Sequence, residues 1–217
     1  MDQQPKFERA ERISDAAIHV MGVVFALMAA PVAITLAAVW LGDLNSIMAA
    51  TIYGLSLVAM LTCSAIYHLL PVPAWKDRLR RLDQSAIYVK IAGTYTPFVV
   101  LAAGSTGAFL AGIWSAALAG AAAIAFGPTW MRWPSLALYL GIGWAGLLAG
   151  GSIFAEMTNV GFGLIVAGGC LYTIGVLFFL WRTLPFHTAI WHGFVLVASA
   201  LFYSAVIVEF RGHAVFL

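Results

Sequence analysis

Residues 46–70 read SIMAATIYGLSLVAMLTCSAIYHLL, twenty-five residues without one Asp, Glu, Lys or Arg, closed by Pro71 and Pro73. A bilayer's hydrocarbon core is crossed by a helix of roughly 20 apolar residues. Backbone groups in hydrocarbon must be paired within the segment or across a closed barrel, so a long apolar run is a helix. The same pattern recurs on both sides of this stretch. It predicts further spans over about 16–41, 84–103, 108–126, 134–154, 162–181 and 187–210. The turns Gly42-Asp43-Leu44-Asn45 and Gly104-Ser105-Thr106-Gly107 separate neighbouring runs. The expected fold class is all-α, an integral membrane bundle of seven transmembrane helices.

Composition agrees with that reading. Of the 217 residues, 63% are hydrophobic and 9% charged, and the mean hydropathy is +0.96. A soluble domain carries about 25% charged residues. The apolar character is spread along the whole chain, which excludes a soluble domain on a single anchor. Short alternating strands, the mark of a membrane barrel, are absent. Membrane lipids are therefore the expected surroundings and partners, and no nucleic acid is expected.

Orientation follows from the basic residues, which favour the cytoplasmic side of a membrane. With seven spans, Lys6, Arg9, Arg12, Lys76, Arg78, Arg80, Arg81, Arg132 and Arg182 all fall on one side. That is nine of the eleven Lys and Arg; Arg211 falls opposite and Lys90 within a span. The expected topology puts the N-terminus in the cytoplasm and the C-terminus outside. Residues 1–15 would form a cytoplasmic segment, 16–210 the membrane domain and 211–217 a short external tail, with His213 in solvent. The charged opening shows no small-residue cleavage signature, so no removable signal peptide is expected. Trp40, Trp75, Trp114, Trp130, Trp133 and Trp181 lie near span ends, as interfacial tryptophans do. Gly120, Gly141, Gly146, Gly150 and Gly168 are read as close helix contacts. Cys63 and Cys170 fall in apolar runs and form no metal-binding pair.

Ionisable groups inside spans are costly and are functional candidates by default. They are His19, His68, Asp83, Lys90, His187 and His192, with Asp15 at the entry of the first span. Most gather at one depth, near the cytoplasmic ends of the first, second, third and seventh spans. The outer halves read as almost wholly apolar. Ser64 and His68 are four apart and share a helix face, as do Asp15 and His19. Lys90 lies about 10 Å deeper than Asp83 on the same face. Together they suggest a shared polar cavity, in which Lys90 can also simply neutralise a carboxylate and His19 can be a packed, hydrogen-bonded residue. Three histidines with an open position form a catalytic zinc arrangement. Asp83 would then serve as base towards water acidified by zinc, with Ser64 beside it.

Three motifs carry a family resemblance. Ser64-Ala-Ile-Tyr67-His68 resembles the second-span serine/histidine motif of the hemolysin III family, the bacterial branch of the progestin and adiponectin receptor superfamily. Arg80-Arg81-Leu82-Asp83-Gln84-Ser85-Ala86-Ile87-Tyr88, followed by Ala92-Gly93-Thr94-Tyr95-Thr96-Pro97-Phe98, resembles its third-span stretch. Ala189-Ile190-Trp191-His192 before Phe194-Val195-Leu196 resembles its seventh-span motif. The resemblance covers nearly the whole chain in order and spacing. It implies seven helices, a cytoplasmic N-terminus and, for a bacterial member, a multi-pass protein of the inner cell membrane.

The receptor branch holds zinc through one second-span and two seventh-span histidines. A third-span aspartate and a second-span serine complete its site. Carried across, these are His68, His192, Asp83 and Ser64, with Tyr67, Lys90, His19 and Asp15 as cavity residues around them. The second seventh-span histidine is the departure. Position 188 is threonine, and His187 stands five before His192, about 140° around a regular helix. Both can face one metal only if the helix starts late or carries a π-like turn; otherwise Asp83 or water completes the set.

Similarity of the receptor branch to alkaline ceramidases implies hydrolysis of a lipid amide or ester. A sensor of membrane state tied by structural zinc is the alternative expectation. A transporter would need polar residues across the full bilayer. Nothing in the chain resembles a pore-forming toxin, despite the family's name.

Overall fold

The computed structural model describes residues 4–102, 106–149 and 151–215. Residues 1–3, Ala103 at the end of the predicted third span, Gly104 and Ser105 of the predicted turn, Gly150 and residues 216–217 of the tail lie outside the described residues. The described residues form eight α-helices: α1 (Gln4–Trp40), α2 (Leu44–Leu69), α3 (Lys76–Leu101), α4 (Gly107–Phe126), α5 (Arg132–Ala149), the one-turn α6 (Gly151–Ala155), α7 (Asn159–Leu180) and α8 (His187–Ala214).

Five of them, α1, α2, α4, α7 and α8, are long and apolar enough to cross a membrane by length and composition. The protein is a polytopic membrane protein. The first turns of α3 carry Lys76, Asp77, Arg78, Arg80, Arg81 and Asp83, and the apolar stretch of α5 covers only Pro134–Leu148.

Local signals fix the helix ends. The Asp43 carboxylate accepts from the Ser46 amide at 2.9 Å and caps α2, satisfying one of the amides that a helix start leaves bare. Gly42 supplies the left-handed turn before it, at φ +72°. Thr158 caps α7 by accepting from the Gly161 amide at 2.9 Å. Phe186, also left-handed at φ 61°, sets the start of α8 immediately before His187.

The long helices alternate in direction. The start of α1, the end of α2 and the start of α8 meet at one end of the bundle, where their histidines touch. At the same end the Arg81 guanidinium, from the start of α3, donates to the carbonyls of Ile124 at 2.9 Å and Gly127 at 2.7 Å. It thereby satisfies carbonyls that the end of α4 would leave unpaired. Arg80 and Arg81 also bond Asp77 and hold its carboxyl below the usual range. The innermost core is Tyr53, Leu57, Tyr88, Val206 and Phe210, none of them accessible to solvent.

The opposite end corrects two expectations. It is not wholly apolar: Glu209, within the predicted seventh span, is 1% exposed. Its carboxylate accepts from the Thr158 hydroxyl at 2.7 Å and the Thr158 amide at 3.2 Å, tying α8 to the start of α7. Nor is His213 in a solvated tail. Helix α8 runs on to Ala214, and the half-buried imidazole reaches the Leu101 carbonyl at 3.1 Å. An unpaired carbonyl at the end of α3 makes that contact favourable.

The glycines also divide. A Cβ on Gly120 would collide with the Tyr88 ring and one on Gly168 would stand 2.8 Å from Phe202, so both permit close contact. At Gly146 a Cβ would press on Tyr95, whereas Gly141 faces open space and has no packing role.

Candidate functional site

Asp15 lies one turn before His19 on α1, and a four-residue step puts both on one face. The imidazole Nδ1 of His19 donates to the Asp15 carbonyl at 2.8 Å. His68 stands in the last turn of α2, and His192 lies five residues into α8. The Asp15 carboxylate joins them: Oδ1 is 2.6 Å from His192 Nδ1, and Oδ2 is 3.4 Å from His68 Nδ1. The three ring centroids lie 4.3, 4.4 and 4.9 Å apart.

One ligand atom from each of Asp15, His19, His68 and His192 lies within 4.8 Å of the other three. His19 and His192 are buried, at 5% and 8% exposed. Imidazole nitrogens with one carboxylate oxygen are a donor set that suits zinc. The residues present therefore fit a metal ion. Asp15 can act in two ways, as a ligand or as the acceptor that fixes which ring nitrogen each histidine turns to the metal.

The other predicted residues surround this group. Ser64, one turn before His68 on α2, has its hydroxyl 3.3 Å from His19 Nε2 and faces the Asp83 carboxylate. Asp83, half-buried in the second turn of α3, lies outside the converging group but lines the same cavity. That cavity measures about 530 Å³ and is walled mainly by apolar side chains, within the usual size of small-molecule sites. The Tyr67 ring packs on His68 at 4.6 Å between centroids, with the Lys76 ammonium 4.2 Å above its centroid. Lys90 also lines the cavity, deeper in the bundle.

His187 stands apart from the group. Helix α8 is already regular at His187, so the five-residue step turns its side chain about 140° from His192. Its buried Nδ1 has no hydrogen-bond partner among the described residues. In the structure the third imidazole comes from α1. The signal was present in the four-residue spacing of Asp15 and His19, which showed a shared face but not what that face meets.

Comparison with known proteins adds independent findings. The family model described as "Haemolysin-III related" matches residues 7–203. The "Hemolysin-3 homolog" of Bacillus subtilis (strain 168) is 37% identical over 203 residues, covering 93% of this chain and 95% of that protein. "Hemolysin-3" of Bacillus cereus is 36% identical, covering 91% and 90%. The human "Monocyte to macrophage differentiation factor" is 31% identical, covering 72% of this chain and 68% of its own length.

Proposed function

The chain belongs to the haemolysin-III-related family, and from that premise we propose that it is a zinc-dependent hydrolase of a lipid amide or ester, working from the cytoplasmic side of a bacterial inner membrane. The observation that supports this most is the joint placement of the three histidines of a metal-type His/Asp group and a separate carboxylate, Asp83, on one largely apolar cavity. A hydrolase needs both, because a base that is itself tied up as a ligand cannot take a proton.

His19, His68 and His192 would hold the ion, with Asp15 orienting their rings. Zinc bound there supplies a Lewis acid that polarises a carbonyl and acidifies water. Asp83 takes the proton from the attacking water as its oxygen bonds to the carbonyl carbon. The same carboxyl returns that proton to the leaving nitrogen or oxygen as the C–N or C–O bond breaks. The Ser64 hydroxyl donates to the oxyanion that develops on the carbonyl. The apolar cavity wall takes the substrate's chain and keeps bulk water out.

The membrane topology belongs to the same proposal. Seven spans result if α3 crosses from residue 84 onwards, about 27 Å at 1.5 Å per residue, and if α5 and α6 cross together. The alternation of the helices and the one-sided Lys and Arg support that reading, with the N-terminus in the cytoplasm and the C-terminus outside. Residues 1–15 would be cytoplasmic, 16–210 the membrane domain and 211–217 external.

A second reading has its own support. If the Asp15 carboxylate binds the metal directly, four ligands close the site, as structural zinc sites are closed, and the protein is a non-enzymatic sensor or regulator of membrane state.

Turnover separates the two readings. Purified protein in liposomes is expected to release fatty acid from a long-chain N-acyl amine or acyl ester, to stop when zinc is stripped by a chelator, and to recover on adding zinc back. Zinc-bound protein without turnover on either substrate would favour the sensor.

A further inference from the structure

Lys90 lies seven residues beyond Asp83 on α3, roughly 10 Å deeper at 1.5 Å per residue. It is 3% exposed, and its side chain lines the cavity that also holds the histidines. Its Nζ stands 4.7 Å from the Phe202 ring centroid and 5.0 Å from that of Tyr172. Aromatic faces attract a cation. Among the described residues no carboxylate lies within ion-pair distance of Lys90. The expectation that it neutralises a carboxylate of the bundle is therefore not what the described residues show. A buried ammonium is costly unless it is paired and hydrogen-bonded, and ring faces offset only part of that cost.

The surroundings hold the ammonium in place. The Tyr172 hydroxyl is bonded to the fully buried Ser199 hydroxyl at 2.7 Å. Phe202 lies against Gly168, where any side chain would displace it. The Thr94 hydroxyl, one turn along α3, is engaged by the Lys90 carbonyl at 2.8 Å. The direction left for a partner is the cavity itself. The cavity's other cations, Arg80 and Arg182, lie at the start of α3 and beyond the end of α7, at the histidine end.

We propose that Lys90, between Tyr172 and Phe202, recognises an anionic oxygen group, carboxylate or phosphate, on the deep-lying part of an amphiphile whose chain fills this cavity. This names the substrate class of the hydrolase site and rests on that reading only in calling the occupant a substrate.

The test uses the full chain in phosphatidylcholine nanodiscs with three radiolabelled probes: palmitate, lysophosphatidate and hexadecanol. At least one anionic probe should bind the native protein and weaken about 10- to 100-fold in Lys90→Met, the cost of one charge-assisted hydrogen bond. Lys90→Arg should keep most of that affinity, and hexadecanol binding should be the same in all three proteins. Which anion responds identifies the group. Anion binding indifferent to Lys90→Met, as expected for an anion held at Arg80 or Arg182, would overturn the proposal. So would an equal loss of hexadecanol, which would mark a packing role, or the failure of both anions to bind. Zinc measured on the same samples separates the two readings: Lys90-dependent anion binding in protein devoid of metal would sink the hydrolase and leave this site standing.

Discussion

Asp15→Ala should lose zinc affinity by about 10- to 100-fold, the usual cost of removing the partner that orients a ligating histidine. The physical reason is that one carboxylate orients the His192 and His68 imidazoles and lies beside that of His19, whose Nδ1 donates to the Asp15 carbonyl. That carboxylate sits 2.6 Å from His192 Nδ1 and 3.4 and 3.6 Å from those of His68 and His19. Without it, two of three crowded rings with centroids under 5 Å apart lose their acceptor and the third loses a neighbouring negative charge. Hydrogen bonds to a charged group contribute about 1.5–3 kcal/mol each, so the metal-free variant should also melt earlier than the metal-free native chain. Asp15→Asn keeps the shape and one acceptor oxygen and should fall between the two. Competition with graded chelators, read by elemental mass spectrometry, measures the affinity. Unchanged affinity in Asp15→Ala would mean that Asp15 neither ligates nor orients.

Asp83→Asn should separate chemistry from structure. Asp83 lines the cavity but stands outside the four-residue group. The amide should leave zinc content and thermal stability near native while kcat on a lipid amide falls about 10²- to 10⁴-fold, the usual contribution of a general base. Loss of zinc together with activity would instead place Asp83 among the ligands and make the site a closed one. Measuring metal and turnover on one preparation keeps these outcomes apart.

Much of the fold is legible in the sequence because hydrocarbon leaves the backbone little choice. The apolar runs mark most helix ends to within a few residues, and Asp43, Thr158 and the prolines after α2 mark ends by local chemistry. The exceptions are α1, helical from Gln4, about three turns before its apolar stretch, and α3, helical from Lys76, about two turns before its own, because helix formation does not require burial where charged side chains can reach water.

The site is legible in part. His68, Asp83 and Ser64 share a depth and lie in two of the quoted motifs, and the five-residue spacing of His187 and His192 already shows that one regular helix cannot present both to one point. That His19 would supply the third imidazole depends on how α1 packs between α2 and α8, which no local pattern encodes. Glu209, which lies inside the predicted seventh span, is absent from the groups the sequence singles out, and its burial depends on Thr158 of α7. The rings facing Lys90 come from residues more than 80 positions away. Long-range packing decides such neighbours, and periodicity within one helix carries no trace of them.

The most direct measurement is the metal content of the full chain, purified in detergent without chelator, beside His68→Ala and His192→Ala. About one zinc per chain in the native protein, lost in both variants while their helical content persists, is the expected result. Native protein with no bound metal, or variants that keep a full complement of zinc, would contradict a metal centre built on these histidines.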